Sequence, residues 1–199
     1  MPPKHVSRRE VLKSLTIGVM AGSVLSVIPV EAAEHAHRMV AAEKVADAAG
    51  LYKPKFFSTG QYKTLQTISQ LIIPPDGDTG GALEAGAPEF IDLLTSENAE
   101  YQLKLGGGIM WLDSICVDRY GKAFIDCTAV QQKEILDLIA YRKNALTDPG
   151  ISQGVEFFSF LRNLVSDGFF TSEIGIKYLG YIGNTHLKEF PGCPPVPEA

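Results

Sequence analysis

Apolar positions fall at helical spacing over most of the chain. Leu65, Ile68 and Ile72 recur behind Ser58-Thr59-Gly60-Gln61, a sequence that fits a capping box, and Pro74-Pro75 stops the run. Phe90, Ile91 and Leu94 follow Pro88, which a first helical turn tolerates. Tyr101 to Tyr120 predicts a helix around Leu103, Ile109, Leu112 and Ile115, interrupted by Gly106-Gly107-Gly108 and ended by Gly121. A second capping box, Thr128-Ala129-Val130-Gln131, opens a stripe of Ile135, Leu138, Ile139 and Leu146 that Asp148-Pro149-Gly150 closes. From Val155 to Val165 the apolar residues cover a wide arc, as in a helix buried deeply or on two sides. Glu34 to Ala49 is rich in helix formers and ends at Gly50, and a short helix fits Thr171 to Leu179. No alternating strand pattern and no internal repeat interrupts this reading. The pattern predicts an all-α fold: a single helical domain of about five to seven helices with long loops. After Gly180 the periodicity stops, and Phe190-Pro191-Gly192-Cys193-Pro194-Pro195-Val196-Pro197 predicts an extended Pro-rich C-terminal tail.

The first 32 residues read as an address. Ser7-Arg8-Arg9-Glu10-Val11-Leu12-Lys13 precedes a weakly apolar stretch from Ser14 to Val30, and Val30-Glu31-Ala32 offers small residues at the −3 and −1 positions of a cleavage site. Arg8 and Arg9 look like the twin-arginine export signal, which the Tat translocase reads as an address for folded cargo. A bilayer span needs roughly 20 apolar residues, more than the run from Leu15 to Val30 supplies, although retention as an N-terminal anchor stays open. The expected organisation is a signal peptide at 1–32, a helix and linker at 33–57, and the helical domain at 58–199. Without residues 1–32 the formal charge moves from −5 to −7. Such an acidic chain lacks the basic face that nucleic acid requires.

The common catalytic constellations are missing. No Gly-x-Gly-x-x-Gly follows a strand, Gly106-Gly107-Gly108 lacks the Lys-Ser/Thr of a phosphate loop, and no Gly-x-Ser-x-Gly elbow or Cys-x-x-Cys-His occurs. The glycine triplet reads as a kink or a close helix contact. Asp76-x-Asp78-x-Gly80 reads as a polar turn, because a calcium loop needs a Glu where Ala87 stands. His35-x-His37 has no third ligand nearby in sequence. Catalytic, cofactor and metal residues are therefore expected to be none. The three cysteines, Cys116, Cys127 and Cys193, are an odd number for an exported protein. A Cys116–Cys127 bridge leaves Cys193 over, as an inter-subunit cysteine or a free thiol; sequence alone does not fix the pairing. Phe169, Phe170, Tyr178 and Tyr181 are candidate interface anchors, with ordinary core as the alternative.

Several short motifs keep a defined order. Leu71-Ile72-Ile73-Pro74-Pro75-Asp76-Gly77 is followed by Ala85-Gly86-Ala87-Pro88-Glu89-Phe90-Ile91-Asp92, then Trp111-Leu112-Asp113, Tyr120-Gly121-Lys122-Ala123-Phe124 and Gln131-Gln132. Asp167-Gly168-Phe169-Phe170, Tyr178-Leu179-Gly180-Tyr181, Gly183-Asn184 and Phe190-Pro191-Gly192-Cys193-Pro194 complete the series. This order resembles the small subunit (subunit 3, or gamma) of the gluconate 2-dehydrogenase family over roughly residues 55–195. It departs at Thr185-His186-Leu187-Lys188, where the family often has an aromatic. The resemblance implies a non-catalytic small subunit of a periplasmic, FAD-dependent dehydrogenase of the glucose-methanol-choline type. The partners implied are a large flavoprotein subunit carrying FAD, which oxidises a sugar, a sugar acid or a glycoside, and a multihaem cytochrome c subunit carrying haem c. The complex is expected in the periplasm, membrane-associated through its other subunits, with this chain supporting export, maturation and assembly. The alternative is an independent periplasmic helical protein with a ligand pocket or an unrecognised active site.

Overall fold

Helices account for nearly all the regular structure in the computed structural model, which describes residues 28–47, 50–77 and 79–181. They are α1 (Val30–Ala46), α2 (Thr59–Ile72), α3 (Ala87–Glu97), α4 (Gly107–Tyr120), α5 (Ala129–Ile139), α6 (Arg142–Thr147), α7 (Ser152–Phe170) and α8 (Glu173–Tyr178). No strand occurs among the described residues, only an isolated bridge between Asp76 and Thr79. The all-α single domain is thus observed, with eight helices among the described residues where the pattern predicts about five to seven. The excess is α6, which the break at Ala140–Tyr141 separates from the stripe that predicts one helix, whereas α8 falls within the short helix expected at Thr171 to Leu179. The twin arginines, Cys193 and the Pro-rich tail lie outside the described residues.

Local chemistry sets most boundaries. Ser58 accepts from Gln61 N–H while the Gln61 side chain accepts from Ser58 N–H, and Thr128 and Gln131 repeat the exchange at α5. Both reciprocal caps satisfy amides that a helix start otherwise leaves open. Pro88 occupies the first turn of α3, and Gly121 ends α4 at φ +72°, a left-handed value that favours glycine. α1 differs from the expectation: it begins at Val30, not Glu34, because Ala32, Ala33 and Ala36 pack into the core. The stripe from Ile135 to Leu146 is also divided. The chain breaks at Ala140–Tyr141, and Leu146 ends up exposed on α6.

α7 is the central element. Val155, Phe157, Phe158, Leu161, Leu164, Val165 and Phe169 are all buried, and α3, α4, α5 and α8 pack around it. Its crossing with α4 is close because glycines face rings. A Cβ on Gly108 would lie 1.9 Å from Phe157 Cδ2, and one on Gly154 would lie 2.2 Å from Trp111. The chain enters α4 through one α-turn (Ala99–Tyr101) and a π-helical turn (Gln102–Gly106). The glycine triplet is therefore both a helix irregularity and a close contact. The residues buried behind the π-turn are Leu105, Ile109, Leu112 and Cys116, while Leu103 of the predicted stripe is exposed.

Candidate functional site

The loop after α2 and the corner between α7 and α8 enclose an apolar groove of about 500 Å³. Pro74 and Pro75 end α2, and the chain reverses through a small turn in which Asp76 and Thr79 exchange backbone hydrogen bonds of 3.0 and 2.8 Å. Gly81 closes the loop against the helix end; a Cβ there would meet Pro75 N at 2.6 Å. On the opposite wall, Ser172 donates to the Phe169 carbonyl at 2.7 Å and accepts from Gly175 N–H at 3.0 Å. A Cβ on Gly175 would fall 2.0 Å from Phe169 O, so only glycine permits this tight corner.

That corner sorts the four candidate aromatics. Phe169 is buried and forms the groove floor, its ring edge-to-face with Phe170 at 5.1 Å and with Tyr178 at 6.2 Å. Phe170 is 40% exposed and Tyr178 55% exposed, and both line the groove with Ile72, Ile73 and the two prolines. Tyr181 is equally exposed beyond the C-terminal end of α8, next to exposed Leu179. Arg162 and Asp76 supply charge among the lining residues. An apolar trough with exposed aromatic sides and a few charges has the composition of a protein-docking surface.

Cys116 and Cys127 come together. Cys116 lies on α4, and Cys127 follows a 3-10 turn (Phe124–Asp126); both are buried, and their thiols interact as free thiols. Burial first, and then the neighbouring Cys127, push the Cys116 thiol up to about 12. The turn is fastened on both sides: Phe124 N–H donates to Asp113 at 3.0 Å, and Gln132 Nε2 donates to the Phe124 carbonyl at 3.0 Å.

Sequence reasoning missed two polar fasteners. Asp92 on α3 is fully buried, and its carboxylate accepts from Tyr52 OH (2.9 Å) and from the backbone N–H groups of Lys55, Phe56 and Phe57 (2.7, 3.1 and 3.1 Å). It thereby pins the segment between α1 and α2 to α3. The available signal was an acid among Phe90, Ile91, Leu93 and Leu94, on the apolar face of a helix. The second fastener is His37 on α1. Its ring stacks on Phe90 at 4.8 Å, and Nε2 lies 2.9 Å from Thr171 Oγ1. Thr171 gives its hydroxyl proton to the Asp167 carbonyl at 2.6 Å, so His37 is the donor in this pair. Burial holds the His37 pKa below its ordinary value.

A second, open hollow of about 770 Å³ lies beside the π-turn, with Lys104, Arg142 and Glu156 at its wall. No cluster of three or more His, Cys, Asp or Glu side chains able to hold a metal occurs among the described residues. No helix among them is long and apolar enough to cross a membrane.

The comparisons with known proteins follow the same line. No curated protein and no solved structure matches the chain. The family model of gluconate 2-dehydrogenase subunit 3 matches residues 59–192, from the first residue of α2 onward. The matched stretch contains the groove walls, Asp92 without the donors it clamps, the cysteine pair and the central helix. The chain belongs to the gluconate 2-dehydrogenase subunit 3 family.

Proposed function

We propose that this chain is the non-catalytic small subunit of a periplasmic FAD-dependent dehydrogenase of the glucose-methanol-choline type, acting on a sugar, a sugar acid or a glycoside. It supports export, maturation and assembly of the flavoprotein, which carries the FAD and the active site; haem c belongs to a multihaem cytochrome subunit. The observation that carries this reading is the family match over residues 59–192. The exposed aromatics support it by supplying a docking surface. Phe170 and Tyr178 stand at a groove braced by glycine-dependent turns, so little backbone freedom is lost when a partner seats there.

The test is co-purification. The tagged chain is expected to bring down a flavin-containing dehydrogenase. Phe170→Ser with Tyr178→Ser is expected to weaken that association by roughly 100-fold, the scale of losing central interface anchors. Its thermal midpoint should fall by only a few degrees, since both rings are partly exposed and what is lost is their packing on Phe169. A stable chain that never captures a flavoprotein, or that turns over a metabolite alone, defeats the reading.

The cysteines extend the proposal. After export the Cys116–Cys127 pair becomes a disulfide. When the short turn before Cys127 opens locally, Cys127 attacks an incoming disulfide of a thiol–disulfide oxidoreductase and Cys116 displaces it; two electrons and two protons leave with the departing dithiol. Cys193 then remains for a covalent link to the partner. Non-reducing tryptic mapping of the exported complex should join peptide 105–119 to peptide 123–133, and full alkylation of Cys116 and Cys127 without reductant would refute the bond.

A further inference from the structure

The expected cleavage point between Ala32 and Ala33 lies inside a helix that the fold needs. α1 begins at Val30, and the N–H groups of Ala32 and Ala33 both reach the Pro29 carbonyl, at 2.9 and 3.0 Å. The side chains of Ile28, Ala32, Ala33 and Ala36 are buried in the core, with Ala33 at 0% exposure. Ile28 N–H donates to Asp167, on the central helix α7. One turn further along, His37 stacks on Phe90 of α3 and donates to Thr171, just past the end of α7. The segment from Ile28 to His37 is thus tied to two helices of the domain.

We propose that Ile28–Ala33 is a permanent part of the exported domain, with the mature N-terminus on the N-terminal side of Ile28. The proposal rests on the export reading above. A protein that crosses the membrane already folded meets the leader peptidase in its folded state. Cleavage requires several residues of accessible, unpaired backbone, and susceptibility follows burial and hydrogen bonding rather than sequence position. Presenting Ala32–Ala33 would unwind the first turns of α1 and pull four apolar side chains out of the core. The product would be no better. The new ammonium group would sit beside a fully buried side chain, where an unpaired charge is strongly disfavoured, and at the positive end of the helix dipole. Asp167 would also lose its Ile28 donor. Upstream, Ala21-Gly22-Ser23 offers the same small-residue spacing without these consequences for the described fold.

Intact mass and N-terminal sequencing of the chain, isolated with its complex from outside the cytoplasm, decide the matter. An N-terminus at or before Ile28, including the uncut chain, is the expected result. One anywhere from Pro29 to Ala33 or beyond overturns the proposal. If the chain is found only in the cytoplasm, the export reading fails, and a second measurement still tests the structural claim. Ala33→Glu in the full-length chain should lower the thermal midpoint by at least about 5 °C or prevent folding, the scale of burying an unpaired charge in a domain this size. An unchanged midpoint would show that the first turn of α1 is dispensable, and would overturn it.

Discussion

With Arg8 and Arg9 both replaced by lysine, the proposed flavoprotein partner is expected to remain in the cytoplasm, with its activity outside reduced by roughly 100-fold or more. The substitution keeps both positive charges, so any effect comes from geometry. A guanidinium is a planar fork that donates paired hydrogen bonds, whereas an ammonium is a compact, strongly hydrated point charge. If the pair is read by a receptor, the fork is what is recognised, and two lysines fail. If the pair were only the basic flank of an ordinary signal, charge would suffice and export would continue. Fractionation, with dye-linked dehydrogenase activity and flavin fluorescence measured on each side of the membrane, separates the two. Normal export of the flavoprotein in this variant would remove this chain from the role of carrier.

Asp92→Ala is expected to lower stability by about 3–5 kcal/mol, the usual scale for deleting one side of a buried, hydrogen-bonded charge arrangement. One carboxylate satisfies a tyrosine hydroxyl and three consecutive backbone amides, and alanine leaves all four donors facing the core. A loss of that size is a large part of the roughly 5–15 kcal/mol that holds a domain together. Urea unfolding should show a lower midpoint. Asp92→Asn should fall between the two, because its amide retains one accepting oxygen but adds donors where donors already converge. Equal stability of Asp92→Ala and the parent would mean that water replaces the carboxylate and that the segment between α1 and α2 is held by its apolar residues alone.

What was legible in the sequence was what neighbours decide. Both capping boxes, the Pro74-Pro75 stop and the glycine end at Gly121 depend on residues within one helical turn, and all four stand as the pattern predicts. The wide apolar arc from Val155 to Val165 likewise becomes the central helix. Features that depend on distant partners were not legible. The Asp92 clamp spans more than thirty residues of sequence, and its acid resembles any helical carboxylate until the fold brings the loop amides to it. The start of α1 was hidden because its alanines read equally well as a cleavage signal and as core. Leu103 falls on the buried stripe only at a uniform helical period, which the π-turn breaks. At the groove, sequence identified the aromatics but could not separate floor from wall; the α7–α8 corner, closed by Ser172 and Gly175, makes that distinction.

The widened turn at Gln102–Gly106, which runs into the glycine triplet, has a numerical meaning as well as a steric one. A regular helix advances about 100° per residue. A π-turn holds one residue more than an α-turn, so deleting one residue there would let the rod close to ordinary α geometry with the two flanking segments keeping their faces, whereas the same deletion within the regular turns of α4 would swing everything upstream by about 100°. The widened turn thus takes up one residue of length without rotating the two halves of one rod against each other, while the Phe157 ring fixes the identity of Gly108.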